Sequence, residues 1–212
     1  MSDLSPPQNM MVSVVVPVYC GSDYLAALVA ALDELRREWQ AKGAPFTLAE
    51  AIFVDDAAID DSGARIDQLA REHSWIVPLH LARNFGQHPA TIVGILHSSG
   101  DWVVTMDEDL QHRPEVIATL LRKAVSEHAD IVYANPVSTV HDAAIRDWTS
   151  RSFKRMMQWL TDNPNLSSFN SFRLIRGPVA RAAASVCSHD TYLDITLGWF
   201  TQSIRAIRIE MK

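Results

Sequence analysis

Three consecutive acids, Asp107-Glu108-Asp109, follow directly on the short apolar run Val103-Val104-Thr105-Met106, and Leu110-Gln111-His112 and Pro114 come next. An apolar run that opens onto acids, with a helix start after them, reads as a buried strand with a site at its C-terminal end. In an extended chain alternate side chains share a face, so Asp107 and Asp109 are expected to point one way and Glu108 the other. Two carboxylates on one face offer hard oxygen ligands to Mg²⁺ or Mn²⁺, which bind through a few carboxylates plus substrate phosphates. A solvated acidic turn is the competing reading of so short a pattern. Its position after a core-like strand, and the polar residues at the other strand ends, favour the metal.

Asp55-Asp56 closes the apolar run Ile52-Phe53-Val54. A carboxylate there can accept hydrogen bonds from a base N–H or from ribose hydroxyls; the alternative is a helix cap or a first-turn acid. In Arg83-Asn84-Phe85-Gly86-Gln87-His88, Arg83 can pair with phosphate oxygens. Asn84 and Gly86 allow the backbone to turn tightly beside a ligand, although an ordinary surface loop would read the same way. His88 and His112 lie next to this proposed site. No G-x-G-x-x-G follows the first strand and no G-x-x-x-x-G-K-[ST] occurs, which disfavours a dinucleotide oxidoreductase and a P-loop NTPase. No G-x-S-x-G nucleophile elbow is present either.

The elements that must position these residues alternate regularly. Residues 12–18 form a continuous, β-branched apolar run, as in a strand buried on both faces. Residues 23–39 have helical spacing, with Ser22 or Asp23 as candidate N-cap. Strands are expected at 51–54, 76–81, 102–106 and 130–134, and helices at 59–73, 89–97 and 114–127. Pro89 suits a first helical turn, where its missing donor is not needed. This is an α/β pattern of βαβ units, hence a Rossmann-like, mostly parallel sheet with helices on both faces. Tyr19, Asp55, Asp56, Arg83, Asn84, Asp107 and Asp109 all fall at strand C-termini, the edge where such sheets bind ligands. The second half is less regular. It contains a basic helix at 143–160 with Arg146, Arg151, Lys154 and Arg155, a strand at 172–175, helices at 178–186 and 192–202, and a last strand at 204–209. Trp148 and Trp159 on the basic helix belong either to the core or to a membrane surface.

The chain has 212 residues, 48% of them hydrophobic, enough for one full-sized core or one domain with a small appendage. A net charge of −6 argues against a nucleic-acid partner bound by broad charge. Cys20 and Cys187 form no metal or disulfide pattern, so a reducing, cytoplasmic compartment is expected. No apolar run approaches the roughly 18–20 residues needed to span a bilayer. Residues 1–11 read as a disordered lead, 12–135 as a ligand-binding half and 136–212 as a second half.

With these residues in place the chain resembles family 2 glycosyltransferases of the GT-A fold. More narrowly, it resembles the polyprenyl-phosphate sugar transferases related to dolichyl-phosphate mannose synthase and undecaprenyl-phosphate aminoarabinose transferase. The matching pieces are Val14-Val15-Val16-Pro17-Val18-Tyr19, Phe53-Val54-Asp55-Asp56, residues 83–88, Gly100-Asp101 and residues 106–115. The resemblance implies a nucleotide-sugar donor, a UDP-sugar ahead of a GDP-sugar, and Mg²⁺ or Mn²⁺ held by Asp107 and Asp109 with Gln111 nearby. It implies nucleotide contacts from Pro17, Tyr19, Asp55, Asp56, Asn84, Gly86 and Asp107, with Arg83 beside the donor. The acceptor would be a lipid phosphate such as undecaprenyl phosphate, glycosylated with inversion at the inner membrane face. Arg146, Arg151 and Arg173 are candidates for its phosphate. The chain departs from the family at Ala57-Ala58, where a Gly-Ser is usual, and at Ser171, where relatives often carry an Asp. Relatives also continue into a basic acceptor loop and membrane helices, so residues 136–212 read as an acceptor-side half cut short. The rival readings are a related domain that binds nucleotide or partners without transfer, and another sugar-nucleotide-processing α/β enzyme.

Overall fold

A computed structural model of the chain describes residues 9–136, 170–188 and 191–210. Strand β1 (Met10–Val18) is buried from Val12 to Val18 and lies near the middle of the sheet. It pairs in parallel with β2 (Phe46–Asp55) on one side and with β4 (Trp102–Thr105) on the other. β3 (Ile76–His80) extends the parallel run beyond β2. On the far side of β4, β6 (Arg173–Arg176) runs antiparallel to both β4 and β5 (Ile131–Pro136), and β7 (Ile204–Ile209) pairs in parallel with β5. Among the described residues the result is one seven-stranded, mostly parallel sheet of order β3-β2-β1-β4-β6-β5-β7. Successive parallel strands step outward from β1 in one direction to β3, then return to its other side as β4. That reversal is the topological switch point, and it lies between β1 and β4.

Helices cover both faces, as the alternating pattern predicts. On one face α1 (Ser22–Ala41), α2 (Ser62–Glu72) and α4 (Val116–Ser126) bury Leu25, Leu28, Leu32, Ile66, Ile117 and Leu120 against Val12, Val14, Val16 and Val18 of β1. On the other face α3 (Gln87–His97), α5 (Gly177–Val186) and α6 (Leu193–Phe200) bury Ala90, Ile95, Ala180, Ala183, Leu193 and Leu197 with Val15. The two-residue period of β1 thus splits its valines between two cores. α3 comes unusually close to the sheet: a Cβ at Gly94 would stand 2.3 Å from Val15 Cγ1 and 3.0 Å from Val54 Cγ2.

Several boundaries differ from the sequence expectations, for local reasons. β1 begins at Met10, two residues before the expected start at residue 12. β2 begins at Phe46 rather than residue 51, because Phe46 and Leu48 are also core residues; a register shift between Val12 and Ser13 absorbs an extra residue. α1 is preceded by Gly21 at the N-cap, not by Ser22 or Asp23. Its first amides are satisfied from another loop: Gly21 N–H donates to Ser62 Oγ at 3.0 Å and Ser22 N–H to Asp60 Oδ2 at 3.1 Å. The expected helix at 143–160, with Arg146, Arg151, Trp148 and Trp159, lies outside the described residues.

Candidate functional site

β4 ends at Thr105, and Met106 N–H closes the β1–β4 ladder on Val15 O at 3.1 Å. The acids therefore stand in a turn beyond the strand, and Leu110 enters the left-handed region at φ 60°. The alternation expected of an extended chain stops at the first acid, which corrects the expectation that residues 107–109 continue extended beyond the strand. Each carboxylate has its own surroundings. Asp107 Oδ1 accepts from Gln87 Nε2 at 2.5 Å, and Oδ2 accepts from Ser171 Oγ at 2.7 Å. Both donors are neutral, so Asp107 is held in place without its charge being cancelled. Asp109 Oδ1 accepts from Gln111 N–H at 3.1 Å, an Asx turn that holds the loop's shape. His112 is buried beneath them, stacked on Phe172 with ring centroids 4.8 Å apart. Its Nδ1 has no hydrogen-bond partner among the described residues and stands 3.8 Å from Asp107 Oδ2. Burial lowers its pKa against the opposing pull of Asp107 and Asp109, which favours a neutral imidazole.

Glu108 turns away from this pair, back toward the first strand. Its Oε2 accepts Tyr19 N–H at 2.9 Å and its Oε1 accepts Cys20 N–H at 3.1 Å. Burial raises its pKa, and the two amides pull it the other way. Asp55 and Asp56 are similarly engaged by protein groups. Asp55 Oδ1 accepts from Ala58 N–H at 2.7 Å, and its Oδ2 lies 2.9 Å from His80 Nδ1. His80 bridges onward to Asp67, Nε2 to Oδ1 at 3.0 Å. Asp56 accepts Phe85 N–H at 2.8 Å and Gly86 N–H at 2.7 Å, pinning the loop that leads into α3. Asp60, in the loop before α2, accepts from Ser62 and Ser22; partial burial opposes its charge, yet these bonds hold its pKa at about 2.

Four loops at the C-terminal edge of the sheet are thereby tied into a ring. Glu108 joins the loop after β4 to the loop after β1, and Asp60 and Ser62 join the loop after β2 to that same β1 loop. Asp56 joins the β2 loop to the loop before α3, and Gln87 returns to Asp107. The ring surrounds the switch point, where the β1–β4 pairing stops at Val15 and leaves Pro17 and Val18 beyond the last β4 partner. Tyr19 at this rim is 42% exposed. Arg83 is exposed and stacks on Phe85, its guanidinium carbon 4.6 Å from the ring centroid, with no carboxylate partner among the described residues. Asn84 and Gln111 are exposed, Gly86 takes φ 96°, and Pro17 is buried within β1.

Arg173 is placed differently from the acceptor role that the resemblance implies. It is buried, and its Nη1 lies 2.5 Å from Asp194 Oδ1, which also accepts from Tyr133 Oη at 2.7 Å. A guanidinium enclosed in that cluster joins β5, β6 and α6 and is not presented to a ligand at the surface. Arg146 and Arg151 lie outside the described residues. Residue-by-residue reading did not single out Gln87, Ser171 or His80 as contacts of the strand-end acids. Gln87 and Ser171 stood within or beside quoted motifs, but which acid they meet depends on tertiary placement.

Chemically, this rim offers an anchored carboxylate, a second carboxylate two residues on and, on the loop before α3, a guanidinium with no carboxylate partner among the described residues. Among the described residues, no group of three or more His, Cys, Asp or Glu side chains could hold a metal by itself. The donor set fits an ion such as Mg²⁺ or Mn²⁺, which keeps positions for substrate oxygens and water, and the unpartnered His112 Nδ1 adds a polar atom beside Asp107.

Comparison with known proteins bears on this geometry. The family model for glycosyl transferase family 2 matches residues 13–181. An undecaprenyl-phosphate 4-deoxy-4-formamido-L-arabinose transferase from Klebsiella pneumoniae is 32% identical over 211 residues, a match covering 97% of this chain and 60% of that protein. The chain spans about three fifths of the length of the curated relatives it matches. Among solved structures, S. aureus TarS in complex with UDP superposes with a TM-score of 0.66 at 16% identity, over 95% of this chain and 59% of that one. The mannosyltransferase PcManGT from Pyrobaculum calidifontis, in complex with GDP-Man and Mn²⁺, gives 0.62 at 15% identity, over 98% and 57%. At these identities the structures establish a shared fold, the GT-A arrangement.

Proposed function

The chain belongs to glycosyl transferase family 2, and from that premise we propose that it moves a sugar from a nucleotide-sugar to a polyprenyl phosphate, with inversion and with a divalent metal. The observation that carries this reading is Asp107, fixed at the switch-point rim by the neutral donors Gln87 and Ser171, which orient its carboxylate without pairing it with a cation. Two similarities support it: the K. pneumoniae relative is named for transfer to undecaprenyl phosphate, and the solved neighbours hold UDP or GDP-Man with Mn²⁺.

Asp107 and Asp109 would hold the metal, with Gln111 adjacent, and the ion would supply positive charge for the departing diphosphate. The exposed Tyr19 ring, Pro17 and Asp55 would receive the base and ribose. Asn84 and Gly86 would let the backbone approach the donor, while Asp56 keeps their loop in position. Arg83, with no carboxylate partner among the described residues, would pair with donor phosphate oxygens and share in neutralising the leaving group. A phosphate monoester has its second pKa near about 6 and is largely a dianion at neutral pH, so it needs little help from a general base. One of its oxygens would form the bond to the anomeric carbon as the bond to the nucleoside diphosphate breaks on the opposite face. The protein's work would then be positioning and charge compensation.

A UDP-sugar is our first choice of donor, and Arg146 and Arg151 our choices for the acceptor phosphate. The acceptor would place the protein against a membrane surface; none of the described helices is long and apolar enough to cross a membrane. A second reading, nucleotide binding without transfer, draws on Ala57 at φ 51° and on Ser171 in place of the usual acid. Incubation with radiolabelled UDP- and GDP-sugars, Mn²⁺ and undecaprenyl phosphate in detergent separates the two. Label extracted with the lipid supports transfer, whereas nucleotide binding without labelled lipid supports the second reading.

A further inference from the structure

We propose that Glu108 is a positioning residue that couples the metal-binding turn to the nucleotide-binding loop, so that an ion at Asp107 and Asp109 tightens the grip on the nucleoside. The inference rests on the donor-site reading above and extends it. Glu108 lies between Asp107 and Asp109 in sequence, yet its carboxylate leaves them and accepts two consecutive amides of the β1 loop, Tyr19 N–H at 2.9 Å and Cys20 N–H at 3.1 Å. A carboxylate bonded to neighbouring amides through both oxygens is fixed in orientation as well as in position. The contact is also close: a Cβ on Gly21 would stand 2.9 Å from Glu108 Cδ and 3.0 Å from Oε2.

The backbone between Asp107 and Asp109 and the backbone that presents Tyr19 are therefore one mechanical unit. On its other side the β1 loop is held by Asp60 and Ser62, and its Tyr19 carbonyl accepts Ile59 N–H at 3.2 Å. Glu108 is the tie that joins this loop to the acidic turn. An ion that orders the acidic turn orders Glu108, and through it the seat of the nucleoside. By linkage, the nucleoside must favour the ion by the same factor. Glutamine at this position keeps the shape but offers one acceptor oxygen, so one of the two amides loses its partner.

A diphosphate would touch the metal directly and hide this effect, so the test uses uridine and guanosine, which carry no phosphate. Each is titrated by NMR into the full chain with and without saturating Mg²⁺, in the wild type and in Glu108→Gln, beside UDP and GDP as controls. The proposal predicts that Mg²⁺ tightens one nucleoside about five-fold or more in the wild type. In Glu108→Gln that gain is lost, while the matching nucleoside diphosphate still responds to the metal. An undiminished gain in the variant, or a wild type whose nucleoside affinity ignores the metal while its diphosphate affinity does not, overturns the coupling alone. If neither diphosphate binds under any condition, the donor-site reading falls and the coupling with it. Should Glu108→Gln fail to fold, Gly21→Ala, whose methyl displaces the Glu108 carboxylate, must show the same loss of gain; an unchanged gain there overturns the proposal.

Discussion

Ala57 holds a left-handed backbone, φ 51°, in the turn after Asp55-Asp56, where the related transferases usually have glycine. The turn's shape is retained although its residue is not, because Asp55 Oδ1 still draws in Ala58 N–H and Asp56 still caps the next loop. An L-residue in this region costs roughly 1–2 kcal/mol, part of which glycine returns through its looser unfolded chain. Ala57→Gly is therefore expected to stabilise the protein by about 0.5–1 kcal/mol in urea unfolding. His80 makes a different prediction. Its bond to Asp55, opposed by desolvation and aided by Asp67, raises its pKa above the ordinary histidine value. A raised folded-state pKa gives stability that is complete below the unfolded value of about 6.5 and is lost as pH rises through the folded one. Tm should accordingly decline from about pH 6.5 upward, and His80→Gln should flatten that slope. A variant with the wild-type slope would remove His80 from the account.

Among the secondary-structure elements, α3 is the one that the site depends on most, since its first residue, Gln87, reaches Asp107. Its distance from the sheet is set by Gly94, where a methyl would collide with Val15. Gly94→Ala should cost about 1–3 kcal/mol by overpacking, despite alanine's better helix propensity, and should weaken nucleotide binding as Gln87 shifts. A gain in stability would mean that propensity outweighs the clash. The elements themselves were readable wherever burial produced a clean period, as in the valines of β1 and the leucines of α1. The first half of β2 was not, because Thr47, Ala49 and Glu50 interrupt its apolar run, and only the pairing with Met10–Val12 shows it to be strand. The acids at the strand end were visible as a motif, but the partners that orient them come from 20 and 64 residues away, a distance local pattern does not encode. Arg173 looked like one more available cation; its commitment to Asp194 comes from the packing of α6 against the sheet.

At the scale of the whole molecule, a net charge of −6 coexists with a rim that, on the function proposed above, would accept an anionic donor and an anionic acceptor. The acids at that rim are held by neutral donors that leave their charge in place, Glu108 and Asp56 by backbone amides, Asp107 by Gln87 and Ser171 and Asp109 by Gln111 N–H, so negative charge is concentrated around the switch point. A cation is then what lets a diphosphate dock there, and metal dependence is the central claim. The most direct test is calorimetric titration of UDP and GDP into the 212-residue chain with and without Mn²⁺, alongside Asp109→Ala. The account predicts that one nucleotide binds the wild type, at least about ten-fold more tightly with the metal, and that Asp109→Ala abolishes the difference. Binding of equal strength with and without Mn²⁺, or a metal effect that survives Asp109→Ala, would contradict it.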